Sequence, residues 1–270
     1  MNLKKLFHIQ HDGQKEMIQP VLSISLGEKN FSFAISNAQA NQLYHLASFS
    51  ADEMNIEVLA EILSLHPEAS ASFYKVSVCY CYPQHILVPQ DYYSNENFGE
   101  LFKSVHGVLA GKNIVSESMI DWQLNDIYTV PQGVQQFLMR RYPSASFKNF
   151  PTLALKNLDN NEDGLLKVDF GVDEFELVAV NQNKLLLAER FEYATPHDVI
   201  YELLNLCNAY SLSQYKVQLR ITGLVDKDSA LYKEMYQYFM NIEFRNATWS
   251  HEDHPAHFFT VLNDIARCAL

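Results

Sequence analysis

Cysteine is scarce in this chain: four residues in 270, Cys79, Cys81, Cys207 and Cys268. That is too few for the disulfide framework of a small secreted domain, and it suits a reducing compartment. Basic residues are short as well, with 20 Lys and Arg against 32 Asp and Glu and a formal net charge of -12. A duplex backbone needs clustered Lys and Arg to replace its condensed counterions, so no nucleic-acid partner is expected. Arg140-Arg141, the tight basic pair of the long middle section, reads as a solvated helix end. No segment approaches the run of roughly twenty apolar residues that spans a bilayer. Lys4 and Lys5 are not followed by the apolar stretch of a secretory signal. The expectation is a cytoplasmic protein with no membrane partner. Gly-x-Ser-x-Gly and Walker-type glycine loops are missing, and so is any low-complexity tract.

What is present is a sequence that is 48% hydrophobic and 13% aromatic, long enough for two domains that each bury a core. It also repeats itself. Short apolar runs at 21–27, 31–36 and 43–49 have the layout of 165–171, 175–180 and 185–191, with Gly27 matching Gly171 and Phe31 matching Phe175. A two-residue gap in the second turn brings Leu43 onto Leu185 and Phe49 onto Phe191. Each triplet of strands leads to a helix. In the first copy Ile56, Leu59, Ile62 and Leu63 fall at helical spacing before His66-Pro67. In the second, Pro196 opens a helix with Val199, Ile200, Leu203 and Cys207 on one face. A strand follows in both, at 75–80 and 216–222. Agreement at five successive elements argues for duplication.

The first copy carries about 80 further residues. A strand at 85–89, a helix from Phe98 to Leu109 and one or two strands between Asn113 and Val130 predict a small inserted subdomain at about 85–128. A helix opened by Pro131, a short strand at 145–149 and a helix from Pro151 to Leu158 complete a first domain of residues 1–158. Residues 159–164 are polar, acidic and turn-prone, the expected linker, and 165–270 form the second domain.

This order of elements resembles the actin-like ATPase superfamily, in which two ribonuclease-H-like domains of mixed sheet and helices hold nucleotide between them. The passage through Phe150, Pro151 and Leu155 into 166–171 is similar to the entry into the second domain of PilM-type and FtsA-type proteins. The whole chain most resembles an uncharacterised family from Bacteroidetes assigned this fold. The resemblance implies an α/β protein with an Asp-x-Gly turn after the first strand of each domain and a later glycine pair at adenosine. It also implies ATP and magnesium as cofactors of active members, with the Asp organising the metal or the attacking water. Matched residue by residue, the phosphate-type positions are Gly27, Asp169 and Gly171, and the adenosine position is Gly223. The first turn reads Ser25-Leu26-Gly27 and lacks the acid. The second, Asp169-Phe170-Gly171, keeps it. Thr222-Gly223-Leu224 has one glycine where two are usual.

Around the second turn Asp169, Asp173 and Glu174 bring three acids and no base, and Lys29 is the only cation in either turn. A triphosphate beside such acids meets about 1 kcal/mol of repulsion per pair in bulk water and about 4 at an effective dielectric of 20. The sequence therefore predicts a degenerate nucleotide site on a binding or scaffold module with a protein partner. An active Mg-dependent ATPase or sugar-kinase-like phosphotransferase using Asp169 is the alternative.

Two clusters could hold a metal. His251, His254 and His257 with two carboxylates supply enough donors for zinc, but their spacing matches no standard zinc pattern, and Pro255 marks a loop entering the last helix. Cys79 and Cys81 point to one face of a strand and could be joined by His85, without a second Cys pair to close a tetrahedral site. No metal is assigned to either. Tyr80, Tyr82, Tyr92, Tyr93, Phe98 and Phe102 read as core and subdomain packing; exposed, they would form a protein-binding surface.

Overall fold

The computed structural model describes residues 2–10, 17–156, 158, 162–249 and 254–268. The chain divides into two units, Met1–Leu153 with Leu262–Leu270, and Ala154–Val261.

In the first unit strands β1 (Lys4–Gln10), β2 (Val21–Gly27), β3 (Asn30–Ser36) and β4 (Leu43–Ser50) precede helix α1 (Ile56–Leu65) and β5 (Lys75–Cys81). On β2, Leu22, Ile24 and Leu26 are fully buried and join one core cluster with Val58, Leu59, Ile62 and Leu63 of α1. The alternate residues Ser23 and Ser25 point to the opposite face of the strand. Asn55 caps α1 by accepting a hydrogen bond from Val58 N at 3.1 Å, and Pro67 follows its C-cap residue His66.

The insertion comprises β6 (His85–Pro89), α2 (Phe98–His106), β7 (Lys112–Met119) and β8 (Leu124–Pro131). Its strands form an antiparallel sheet in the order β6-β8-β7, over a small core of Val88, Phe102 and Ile127. Helix α3 (Gln132–Arg141), strand β9 (Ser146–Asn149) and helix α4 (Phe150–Leu155) come next. The main sheet of this unit has the order β1-β4-β3-β2-β5-β9.

The second unit contains β10 (Leu165–Phe170), β11 (Glu174–Asn181), β12 (Lys184–Glu192), α5 (Pro196–Ala209), β13 (Gln218–Gly223), α6 (Ala230–Tyr238) and β14 (Asn241–Phe244). Its sheet runs β12-β11-β10-β13-β14. Leu166, Val168 and Phe170 of β10 pack with Val199, Ile200 and Leu203 of α5. Helix α7 (Thr260–Cys268) ends the described chain.

The two sheets are the same object with one strand added. In each, three antiparallel strands are followed by two parallel ones, β4-β3-β2-β5-β9 in the first unit and β12-β11-β10-β13-β14 in the second. Their registers agree in detail. Leu26 faces Phe31 as Phe170 faces Phe175, and Phe31 faces Phe49 as Phe175 faces Phe191. Even the irregularity recurs: the ladder slips between Ile35 and Ser36 in one copy and between Ala179 and Val180 in the other. Beyond the slip, Ser36 meets Leu43 and Val180 meets Leu185, the pairing that the two-residue gap requires. Phe175 and Phe191 stack at 5.3 Å, worth about 0.5–1.5 kcal/mol beyond their burial.

The division between units differs from the sequence-based one at both ends. It falls inside α4, between Leu153 and Ala154, rather than after residue 158. Lys167 Nζ of β10 donates to Ala154 O at 3.4 Å, which draws the end of that helix to the second unit. Residues 262–268 group with the first unit rather than with 165–261, where Asn263 Nδ2 donates to Ala40 O at 2.8 Å. Of the expected linker 159–164, residues 159–161 lie outside the described residues.

Candidate functional site

Strand pairing places the two Asp-x-Gly-type turns at equivalent ends of β2 and β10. Because directly opposed residues in a sheet share a face, each turn sits at the end of a polar row that crosses four strands. In the second unit the row is Arg190, Glu176, Asp169 and Thr222. Thr222 Oγ1 donates to Asp169 Oδ1 at 2.5 Å, and Arg190 Nε and Nη2 donate to Glu176 Oε1 at 2.7 and 2.5 Å. Arg190 Nη1 reaches Glu174 Oε2 at 3.1 Å. In the first unit the equivalent row is Ser48, Ser32, Ser25 and Cys79. There Ser32 Oγ and Ser48 Oγ are 2.7 Å apart, and Ser25 Oγ lies 3.5 Å from Cys81 Sγ. One row is charged and paired; its counterpart carries hydroxyls and a thiol.

Arg190 corrects the charge expectation. The turn itself has no base, but β12 lies beside β11 and brings a guanidinium whose side chain is only 7% exposed onto Glu174 and Glu176. Glu28 in the first turn likewise meets Lys112 at 3.1 Å. The repulsion toward a phosphate is smaller than a count along the turn implies. Arg190 was legible in principle, since it precedes Phe191, already matched to Phe49.

The glycines have local reasons. Gly223 has φ +82°, and a Cβ there would stand 2.2 Å from Phe170 O and 2.6 Å from Phe170 N. The backbone of β13 thus turns against the end of β10, and Leu224 N donates to Phe170 O at 2.7 Å. Gly171 N donates to Glu174 O at 2.8 Å, and Gly171 O accepts from the Tyr193 hydroxyl at 3.2 Å. Gly27 closes β2 opposite Cys81. These bonds shape the Gly171 and Gly223 turns of the second unit.

Among the described residues, neither of the two candidate metal clusters is gathered as a ligand group. Cys79 is buried, its thiol 3.8 Å from Tyr80 O, and Cys81 meets Ser25. His85 Nδ1 lies 3.6 Å from Asp126 Oδ1 in the insertion, and these cysteines and His85 do not form a ligand-distance group among the described residues. His251 lies outside the described residues. His257 Nε2 is 2.6 Å from Val225 O, and its ring packs on Phe244 at 4.2 Å. Burial pushes this imidazole below its ordinary pKa, although the bond to Val225 O works the other way. His254 packs edge-on against Phe259. In the aromatic run Tyr80, Tyr82 and Phe102 are buried, Tyr93 stacks on Phe98, and Tyr92 is 80% exposed. A surface groove of about 350 Å³ is lined by Ile56, Gly133, Gln136, Phe137, Arg140 and Arg141, and none of the expected site residues lines it.

Residues 10–242 match the family described as protein of unknown function DUF3822. The chain belongs to that family. No curated protein matches it in sequence. Among solved structures it is similar to a Bacteroides thetaiotaomicron protein with an actin-like ATPase fold and unknown function. The two are 21% identical with a TM-score of 0.73, over 89% of this chain and 96% of that one. The PilM-PilN type IV pilus biogenesis complex also matches, at 13% identity and a TM-score of 0.59, over 94% of this chain and 99% of that one. At these identities the likeness is one of fold. This DUF3822 member has the actin-like ATPase fold, with two ribonuclease-H-like units and a small α+β insertion in the first. Among its described residues no helix is long and apolar enough to cross a membrane.

Proposed function

We propose that this family member is a cytoplasmic binding or scaffold module whose nucleotide-type site has lost part of its chemistry. The observation that carries the reading is Ser25. By register it occupies the place of Asp169, yet its hydroxyl sits beside a thiol instead of offering a carboxylate to a metal ion. A hydroxyl with an ordinary pKa neither organises magnesium as a carboxylate does nor activates water. Gly223 adds support, since its conformation is accounted for by the approach to Phe170. A charge argument contributes little once Arg190 is in place. The positions where a ligand would approach are Gly27 in the first unit and Asp169, Gly171 and Gly223 in the second. A protein partner fits the PilM-type neighbour, whose solved structure is a complex with PilN. The acidic balance of the chain argues against nucleic acid.

The competing reading, a Mg-dependent ATPase or phosphotransferase, draws on Asp169 itself, held by Thr222 at 2.5 Å in a row that Arg190 partly neutralises. Phosphate release from Mg-ATP by the purified protein separates the two. The expected outcome is a rate equal to that of the Asp169→Ala variant. Turnover that Asp169→Ala abolishes and Asp173→Ala leaves intact would establish the ATPase.

A further inference from the structure

The first unit holds a feature that the duplication does not explain. β1 extends the first sheet beyond β4 and, among the described residues, has no counterpart beside β12. It carries His8, whose neighbours on the adjoining elements are His66 and Glu68. One ligand atom from each of His8, His66 and Glu68 lies within 4.8 Å of the others.

Local structure fixes two of the three. Helix α1 ends at His66, and Pro67 begins a 3-10 turn, Pro67–Ser70, that folds Glu68 back so that its Oε1 lies 2.6 Å from His66 Nδ1. That turn is anchored from α3 and the residue after it: the Tyr142 hydroxyl donates to Ala69 O at 2.9 Å, and Arg141 Nη2 donates to Ser70 Oγ. His66 is only 7% exposed, and its ring meets those of Phe33 and Phe49 edge-on at 5.5 and 5.3 Å. Its orientation is therefore set by packing before any ligand arrives. His8 is exposed, and its ring stands 5.2 Å from that of His66 at 78°. Besides His66 and Glu68, Lys5 and His45, the latter on β4, act electrostatically on His8.

We propose that His8, His66 and Glu68 form a site for a divalent transition-metal ion of the zinc or nickel class. Two imidazoles and one carboxylate are a borderline donor set that such ions take, with a further position left for water. Bonds of about 2.0–2.2 Å put adjacent donors about 3.0–3.5 Å apart. His66 and Glu68, 2.6 Å apart, would part by less than about 1 Å to admit the ion. His8, the exposed member, closes the remaining distance by rotation about its side-chain bonds. The arrangement would tie the added edge strand β1 to the end of α1.

Calorimetric titration of the whole metal-free protein with zinc chloride, and separately nickel chloride, tests this. One ion should bind per chain, and saturation should raise Tm by about 5 °C, reversed by a chelator. In His8→Ala saturable binding is lost while the metal-free Tm stays within about 1 °C of wild type, because His8 is exposed. Glu68→Gln weakens binding by about 10–100-fold. Cys79→Ser and His254→Ala bind as wild type does. Binding of zinc by His8→Ala with unchanged stoichiometry and affinity would overturn the proposal, as would the absence of binding by wild type at 100 times the protein concentration.

Discussion

Gly223→Ala is expected to destabilise the protein by about 2–6 kcal/mol, far more than the roughly 1 kcal/mol expected at Gly171. Two terms add. A φ of +82° strains any residue with a Cβ by about 1–3 kcal/mol. The new methyl would also lie 2.2 to 2.9 Å from the O, N and C atoms of Phe170, and backbone cannot move aside as a flexible side chain can. Relieving such overlap costs a further 1–3 kcal/mol, roughly. For a chain of this size the loss in Tm should be on the order of 10 °C. Gly171→Ala is the control. Its Cβ would meet Glu174 O at 3.1 Å and Glu174 Cγ at 3.2 Å, without a positive φ, so about 1 kcal/mol is expected. Thermal unfolding of both variants decides the matter; equal Tm values would show that the close approach of β13 to β10 is wrong.

The second large effect is expected at Asn149. This residue and Asp126 are both fully buried, and Asn149 Nδ2 donates to Asp126 Oδ2 at 2.8 Å. His85 Nδ1 stands 3.6 Å from the other carboxylate oxygen. Asn149 N also donates to Glu117 Oε2 at 3.1 Å, and Lys148 Nζ to Glu117 Oε1 at 2.5 Å. Through these bonds the inserted β6-β8-β7 sheet is joined to β9 of the main sheet of the first unit. Asn149→Leu would leave a carboxylate at zero exposure without its nearest donor, at a cost of about 3–5 kcal/mol. Asp126→Asn in the same background should recover part of that loss, since a neutral amide is less costly to bury than a charge. Urea denaturation of the two single variants and the double gives the coupling. A loss under about 1 kcal/mol for Asn149→Leu, or strict additivity, would show that the pair is not what holds the insertion.

The duplicated core was legible because its signal is covalent order: apolar runs of strand length, a glycine, a phenylalanine at the same offset, then an amphipathic helix. That signal was strong enough to place the two-residue gap in the turn that joins Ser36 to Leu43 in one copy and Val180 to Leu185 in the other. β1 was illegible for the opposite reason. Of its seven residues only Ile9 is buried, so an added edge strand left almost no apolar pattern. α6 and β14 were not read from the sequence either, although Leu231 and Met235 are buried. The site was half legible. Ser25 and Asp169 follow from alignment of the copies, and Gly223 from the resemblance to the actin-like superfamily. Arg190 could have been placed from its position before Phe191, whereas His8 meets His66 only because the fold brings distant residues together, and no spacing along the chain reports that.

The account turns on the inequality of Ser25 and Asp169, and nucleotide binding tests it most directly. Thermal unfolding should be followed for wild type and Asp169→Ala with and without millimolar Mg-ATP. A ligand at one hundred times its dissociation constant adds about 2.7 kcal/mol to stability, a shift of several degrees. The account predicts the same Tm with and without nucleotide in both proteins. A Mg-ATP-dependent rise in wild type that vanishes in Asp169→Ala would contradict it.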